Sequence, residues 1–127
     1  MQDRELYEYA VIRLVPRVDR EEFLNVGIIL FCKKQGYLKC KYELDRNKLQ
    51  HVFPELELDE AEAHLESFRK ICDGSPDSGP IGQLDLPSRF RWLTAKRSTI
   101  VQTSQTHPGL CTDMDKNLEH LFETLVK

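Results

Sequence analysis

Two β-rich runs constrain this chain more than anything else in it. Residues 5–15, ELYEYAVIRLV, and residues 25–33, NVGIILFCK, are dense in tyrosine, valine and isoleucine. Both are apolar on two faces through their middles, the pattern of strands inside a sheet rather than at its rim. Arg13 interrupts one of those faces, and Pro16 ends the first run. The VDREEF segment after it is expected to make one helical turn capped by Asp19. Gly27, early in the second run, predicts a bulge or a close backbone approach. A turn at Gln35-Gly36 then leads into YLKCKYEL, where Leu38, Cys40, Tyr42 and Leu44 alternate with Lys39, Lys41 and Glu43. That is period two with one wet face, and it closes an antiparallel hairpin.

Helical patterns follow the strands. DRNKLQHVF, residues 45–53, reads as a short helix stopped by Pro54. Residues 59–73 read as a longer one, with Asp59 as its cap, Glu62 at the capping-box position, Gly74 as its end, and Ala61, Leu65, Phe68 and Cys72 on one face. The stretch 74–88, GSPDSGPIGQLDLPS, reads as a long loop of the kind that binds or covers a site. After RFRWLTAKR, STIVQTS is expected to be a fourth strand. Leu118, Leu121, Phe122, Leu125 and Val126 then give the last helix its stripe. Strands that cluster first, with helices not interleaved one for one, predict an α+β fold: a mostly antiparallel sheet of about four strands with helices packed on one face.

Length makes 1–127 a single domain. The chain is 40% hydrophobic and 31% charged, too apolar for a disordered segment, and no apolar run is long enough to span a bilayer. MQDRELYEYA carries no signal-peptide core, so a cytoplasmic location is expected. The cysteines, Cys32, Cys40, Cys72 and Cys111, form no C-x-x-C pair and no zinc spacing, so no metal is expected and four reduced thiols are. Cys32 and Cys40 would face each other across a three-residue hairpin loop, leaving a disulfide as the exception. No Gly-rich phosphate loop and no G-x-S-x-G elbow occur, and no cofactor is expected. In HPGLC, Pro108 and Gly109 argue for a loop in which His107 and Cys111 do not meet. Arg13, inside a strand, needs a partner, and Glu22 and Asn25 are candidates for a polar cluster at one end of the sheet.

Charge supplies the strongest functional signal. From Leu86 to Thr112 there is no acid, although the chain holds 21 and carries a net charge of −3. The same span holds Arg89, Arg91, Lys96, Arg97 and His107, with Ser98, Thr99, Gln102 and Ser104 among them. Arginine forks beside short hydroxyl and amide donors bind phosphate or carboxylate oxygens. The competing reading is that these arginines pair with carboxylates on neighbouring helices. Trp92 has two readings as well: a core anchor, as lone tryptophans usually are, or a ring that stacks a base.

The blocks YEYAVIRLVPRVDREEFLNVGIILFC and GPIGQLDLPSRFRWLTAKRSTIVQTSQTHPGLC together resemble the small bacterial family catalogued as domain of unknown function 3037. The resemblance runs from Tyr7 to about Val126. It rests on Arg13, Pro16, Glu22, Phe23, Asn25, Val26 and Gly27 in one block and on Arg89, Phe90, Trp92, Leu93, Thr94, Ala95, Ser98, Thr99, Gln102, Thr103, Ser104 and His107 in the other. It transfers no catalytic residue. It implies a partner or regulator role beside a kinase-like protein similar to persistence-toxin kinases.

The expectation is therefore a small binding or regulatory module. Arg89, Arg91, Arg97, Ser98, Thr99, Gln102, Ser104 and His107 would hold an anionic group on a protein or nucleotide partner. An enzyme acting on a phosphorylated or nucleotide substrate, with His107 as acid/base, is the first alternative. A nucleic-acid binder using the basic 86–112 segment and Trp92 is the second.

Overall fold

A computed structural model describes residues 4–16, 22–97 and 99–127. The expected turn at 18–23 falls largely outside them, and so does Ser98. The two apolar runs form β1 (Glu5–Leu14) and β2 (Leu24–Cys32), and the alternating segment forms β3 (Tyr37–Tyr42). β2 lies between β3 and β1 and runs antiparallel to both. β4 (Val101–Thr103) and β5 (His107–Cys111) follow one another along the other edge of β1, both antiparallel to it, β4 on residues 12–14 and β5 on residues 5–9. Among the described residues the sheet thus has five strands where about four were expected. HPGLC is β5 rather than a loop, because Pro108 and Gly109 sit on an edge strand whose outer side needs no ladder bonds.

The hairpin turn has four residues, Lys33–Gly36, with Gly36 at φ 59° and its N–H on the Lys33 carbonyl at 3.2 Å. One residue more than expected moves the register. Cys32 faces Tyr37, and Cys40 faces Ile29. Strand alternation then sends Cys32 to one face and Cys40 to the other, which excludes a bond between them; all four cysteines are free.

Two apolar clusters lie on opposite faces of the sheet. On one, Ala10, Ile12, Leu14, Ile29 and Phe31 pack against α1 (Arg46–Val52), α2 (Leu58–Asp73) and α4 (Leu86–Leu93). On the other, Val11, Ile28, Leu30 and Cys32 receive Met114, Leu118 and Phe122 of α5 (Met114–Leu125). The helices, expected on one face, are divided because both inner strands are apolar on both sides, and each side must be covered.

Helix boundaries follow local chemistry. Asp45 and Asp113 cap α1 and α5 by accepting from the Lys48 and Lys116 N–H groups, both at 3.1 Å. Asp59 does not cap α2; Glu57 stands at that position without a side-chain cap bond. Asp59 and Glu62 are drawn instead onto the Arg46 guanidinium, at 2.9 and 2.7 Å. Gly74 ends α2 in the left-handed region, as expected. The long 74–88 loop is more ordered than its composition suggests. It contains the single turn α3 (Gly79–Gly82), and its end already belongs to α4, capped by Asp85 with Pro87 in the first turn.

Candidate functional site

The acid-free island folds as α4, a connection, β4 and β5, which scatters its residues over three environments. Arg89 points inward from α4. Its Nη1 donates to the Gly82 and Leu84 carbonyls at 3.4 and 3.2 Å, and its guanidinium lies so close to Gly74 that a Cβ there would be 2.5 Å away. It ties the end of α2 to the α3–α4 connection. Arg91 forms a two-pronged ion pair with Glu8 of β1, at 2.8 and 3.2 Å. For these two residues the ordinary structural reading of an arginine suffices.

Ser104 is built into the sheet. Its N–H donates to the Val11 carbonyl and its Oγ accepts from the Val11 N–H, both at 2.9 Å, where β4 has ended and β5 has not begun. A single hydroxyl keeps the ladder on β1 satisfied across that break. Ser104→Ala should cost about 1–3 kcal/mol, because the buried Val11 N–H loses its acceptor; urea unfolding measures it. His107 pairs with Tyr9, and the two rings lie 5.3 Å apart on the α5 face of the sheet. Gln102 is opposite Arg13 on that same face and donates to the Thr99 carbonyl at 2.9 Å. His107 and Cys111 occupy one strand four residues apart, about 13 Å at strand rise. Burial pushes the Cys111 thiol up. Hydrogen bonding with Cys40, together with burial, does the same to Cys72. None of these thiols is activated as a nucleophile. Arg13 and Asn25 meet across the β1–β2 bulge, Arg13 stacked on Phe23 at 4.1 Å and Asn25 Nδ2 donating to the Leu125 carbonyl at 3.1 Å.

Arg97 is different. Arg46, Arg69 and Arg91 each pair with at least one carboxylate. Among the described residues, Arg97 pairs with none. Its Nε donates to the Ala95 carbonyl at 3.4 Å and its Nη2 to the Trp92 carbonyl, and its guanidinium lies 4.4 Å from the Trp92 ring centre. Burial lowers its pKa from the ordinary guanidinium value. Trp92 is 39% exposed and is not a core anchor. The helical period turns Phe90 and Leu93 inward and leaves the indole between them at the surface.

Arg97 and Trp92 stand at the rim of a cleft of about 140 Å³ between α2, the end of α4 and β4. Phe68, Ile71, Leu93 and Val101 form its floor, and His64, Ser67 and Thr99 complete the rim. The Thr99 hydroxyl is already committed to the Val101 carbonyl at 2.7 Å. Of the residues singled out from the sequence, the structure brings Arg97 and Thr99 to this cleft, leaves Arg89 and Arg91 in structural bonds nearby, and puts His107 and Gln102 on the other side of the sheet. Sequence reasoning missed His64 and Ser67, which are ordinary polar residues on the outer face of an amphipathic helix, with no local signal to mark them. Phe68 was legible only as core.

No group of three metal-ligating side chains occurs among the described residues, and no described helix is long and apolar enough to cross a membrane. A family model described as protein of unknown function (DUF3037) matches residues 9–126. No curated protein and no solved structure matches the chain.

Proposed function

The chain belongs to the DUF3037 family, and from that premise and the geometry above we propose that it is a small binding module whose α2–α4 cleft holds an anionic group carried by a partner. The observation that carries the reading is Arg97. Burial takes this guanidinium partly out of water without a carboxylate beside it among the described residues, which disfavours its charged form, and an incoming anion relieves that cost. The bonds to Ala95 and Trp92 hold it in place and use two of its five N–H donors. Trp92 backs it on one face, so little side-chain freedom is left to lose on binding. A protein partner fits this role, and the kinase-like neighbour that the family resemblance implied is the first to test. The enzyme and nucleic-acid readings have less support, because His107 lies across the sheet from the arginines and two of those arginines are engaged within the fold.

Trp92 is the chain's single tryptophan, so its fluorescence reports on the cleft directly. Titration with phosphate, pyrophosphate and N-acetyl-leucine should give saturable binding of at least one. Arg97→Ala should weaken that binding about 10–100-fold, the worth of a hydrogen bond to a charged group. Arg91→Ala should leave the affinity unchanged and cost at most about 1 kcal/mol of stability. Binding that is indifferent to Arg97, or no binding by any of the three, overturns the proposal.

A further inference from the structure

We infer that the anion held in this cleft is the C-terminal carboxylate of a partner polypeptide whose last residue is apolar. This rests on the anion-site reading above and narrows it. Three observations favour a carboxylate on an apolar residue over a phosphate group or a nucleotide.

The first is charge. The arginine that lines the cleft is Arg97, and among the described residues its guanidinium has no carboxylate partner. Arg91 is taken by Glu8, Arg89 by backbone carbonyls, and His64 at the rim lies 3.7 Å from Glu60. A phosphate dianion reaching this site would be half-neutralised, whereas a monoanionic carboxylate is matched by one arginine fork. Among the described residues, Arg97 Nη1 makes no hydrogen bond within the protein, so it can donate to a carboxylate oxygen, with the Ser67 hydroxyl on the facing helix as a second donor.

The second is the floor. Phe68, Ile71, Leu93 and Val101 lie beside the guanidinium, so a ligand gains by carrying an apolar group on the atom next to its anion. A cleft of about 140 Å³ is well below the roughly 300–1,000 Å³ of sites that enclose whole small molecules. It has room for one aliphatic side chain and its carboxylate, not for a nucleotide.

The third concerns the source of that carboxylate. A free amino acid places an ammonium beside its own carboxylate and hence beside Arg97. Among the described residues no acid lines the cleft to receive it. In a polypeptide the same nitrogen is an uncharged amide, and the preceding residues leave over the open rim at His64 and Ser67, both exposed.

The test is a titration of the full chain, read by Trp92 fluorescence. The probes are a hexapeptide ending in leucine with a free carboxylate, the same peptide amidated, the same peptide ending in aspartate, free leucine, and inorganic phosphate. The free-acid peptide should bind at least 10-fold more tightly than every other probe, and Arg97→Gln, verified as folded by circular dichroism, should abolish the difference. If the amidated peptide binds equally well, Arg97 does not hold the terminal carboxylate and the inference fails. If free leucine matches the peptide, the source is an amino acid and the inference fails. Phosphate binding that depends on Arg97, without peptide binding, sinks this inference and leaves the broader anion-site reading standing. No Arg97-dependent binding by any probe sinks both.

Discussion

Replacing Phe90 with alanine should lower the unfolding free energy by about 3–5 kcal/mol, the range for emptying a large aromatic site in a core. Phe90 is fully buried and stacks on Phe31 of β2 with ring centres 4.9 Å apart. It contributes more than volume. α4 has only eight residues, too few for a stable helix in isolation, so its place in the fold depends on docking Phe90 and Leu93 onto the sheet. Arg97 and Trp92 both depend on that docking, because the Arg97 guanidinium bonds to the Trp92 carbonyl at the end of α4. The variant should therefore weaken anion binding as well as stability. In urea the midpoint should fall with an unchanged slope, and the thermal midpoint should drop by about 10–20 °C. A loss below about 1 kcal/mol would show that α4 is not held by this side chain.

Gly27→Val should cost at least the upper end of the ~1–3 kcal/mol usual for overpacking. A Cβ at Gly27 would lie 2.5 Å from the Lys41 carbonyl oxygen and 2.7 Å from the Tyr42 Cβ, so backbone rather than a flexible chain end would have to move. Gly27 also adjoins the point where the β1–β2 register shifts. Ile12 faces Gly27 and Arg13 faces Asn25, which leaves Val26 as the extra residue of a bulge. Pushing β3 away there would disturb Tyr42, whose hydroxyl donates to Glu66 of α2 at 3.2 Å, and through α2 the wall of the cleft. Reduced yield of folded protein, or a thermal midpoint lowered by about 10 °C or more, is the expected result. A variant as stable as the parent would mean that β3 can shift without penalty.

Gly27 was legible in the sequence, where a glycine inside an apolar strand pointed to a bulge or a close approach; the structure has both. The inner position of β1 and β2, the alternation of β3 and the end of α2 were legible in the same way. Each is written in residues adjacent or nearly adjacent along the chain. The five-residue strand at 107–111 was not legible, because its partner is β1, about a hundred residues earlier, and its own Pro-Gly reads locally as a loop. The Cys32–Cys40 alternative failed on one residue of turn length, which strand alternation converts into a change of face. The acid-free span 86–112 contains Trp92, Leu93, Arg97, Thr99 and Val101 of the cleft, but nothing local showed that Arg91 would turn to Glu8, Arg89 to backbone carbonyls and Arg97 to Trp92.

By itself, then, the sequence determined the strong periodicities of this protein: the inner strands β1 and β2, the alternation of β3, the helices α1, α2 and α5, and a mostly antiparallel sheet. It also determined that one span, 86–112, carries its positive charge with no acid beside it in the chain. Backbone sterics and side-chain pattern act over a few residues, so a linear reading reaches them. Tertiary structure decided how that charge is used. It set Arg91 against Glu8, turned Arg89 onto carbonyls, placed His107 on the far face, and left Arg97 on Trp92 over an apolar cleft. Whether a charge is neutralised depends on what comes within about 4 Å of it, and in a packed fold those neighbours come from anywhere along the chain.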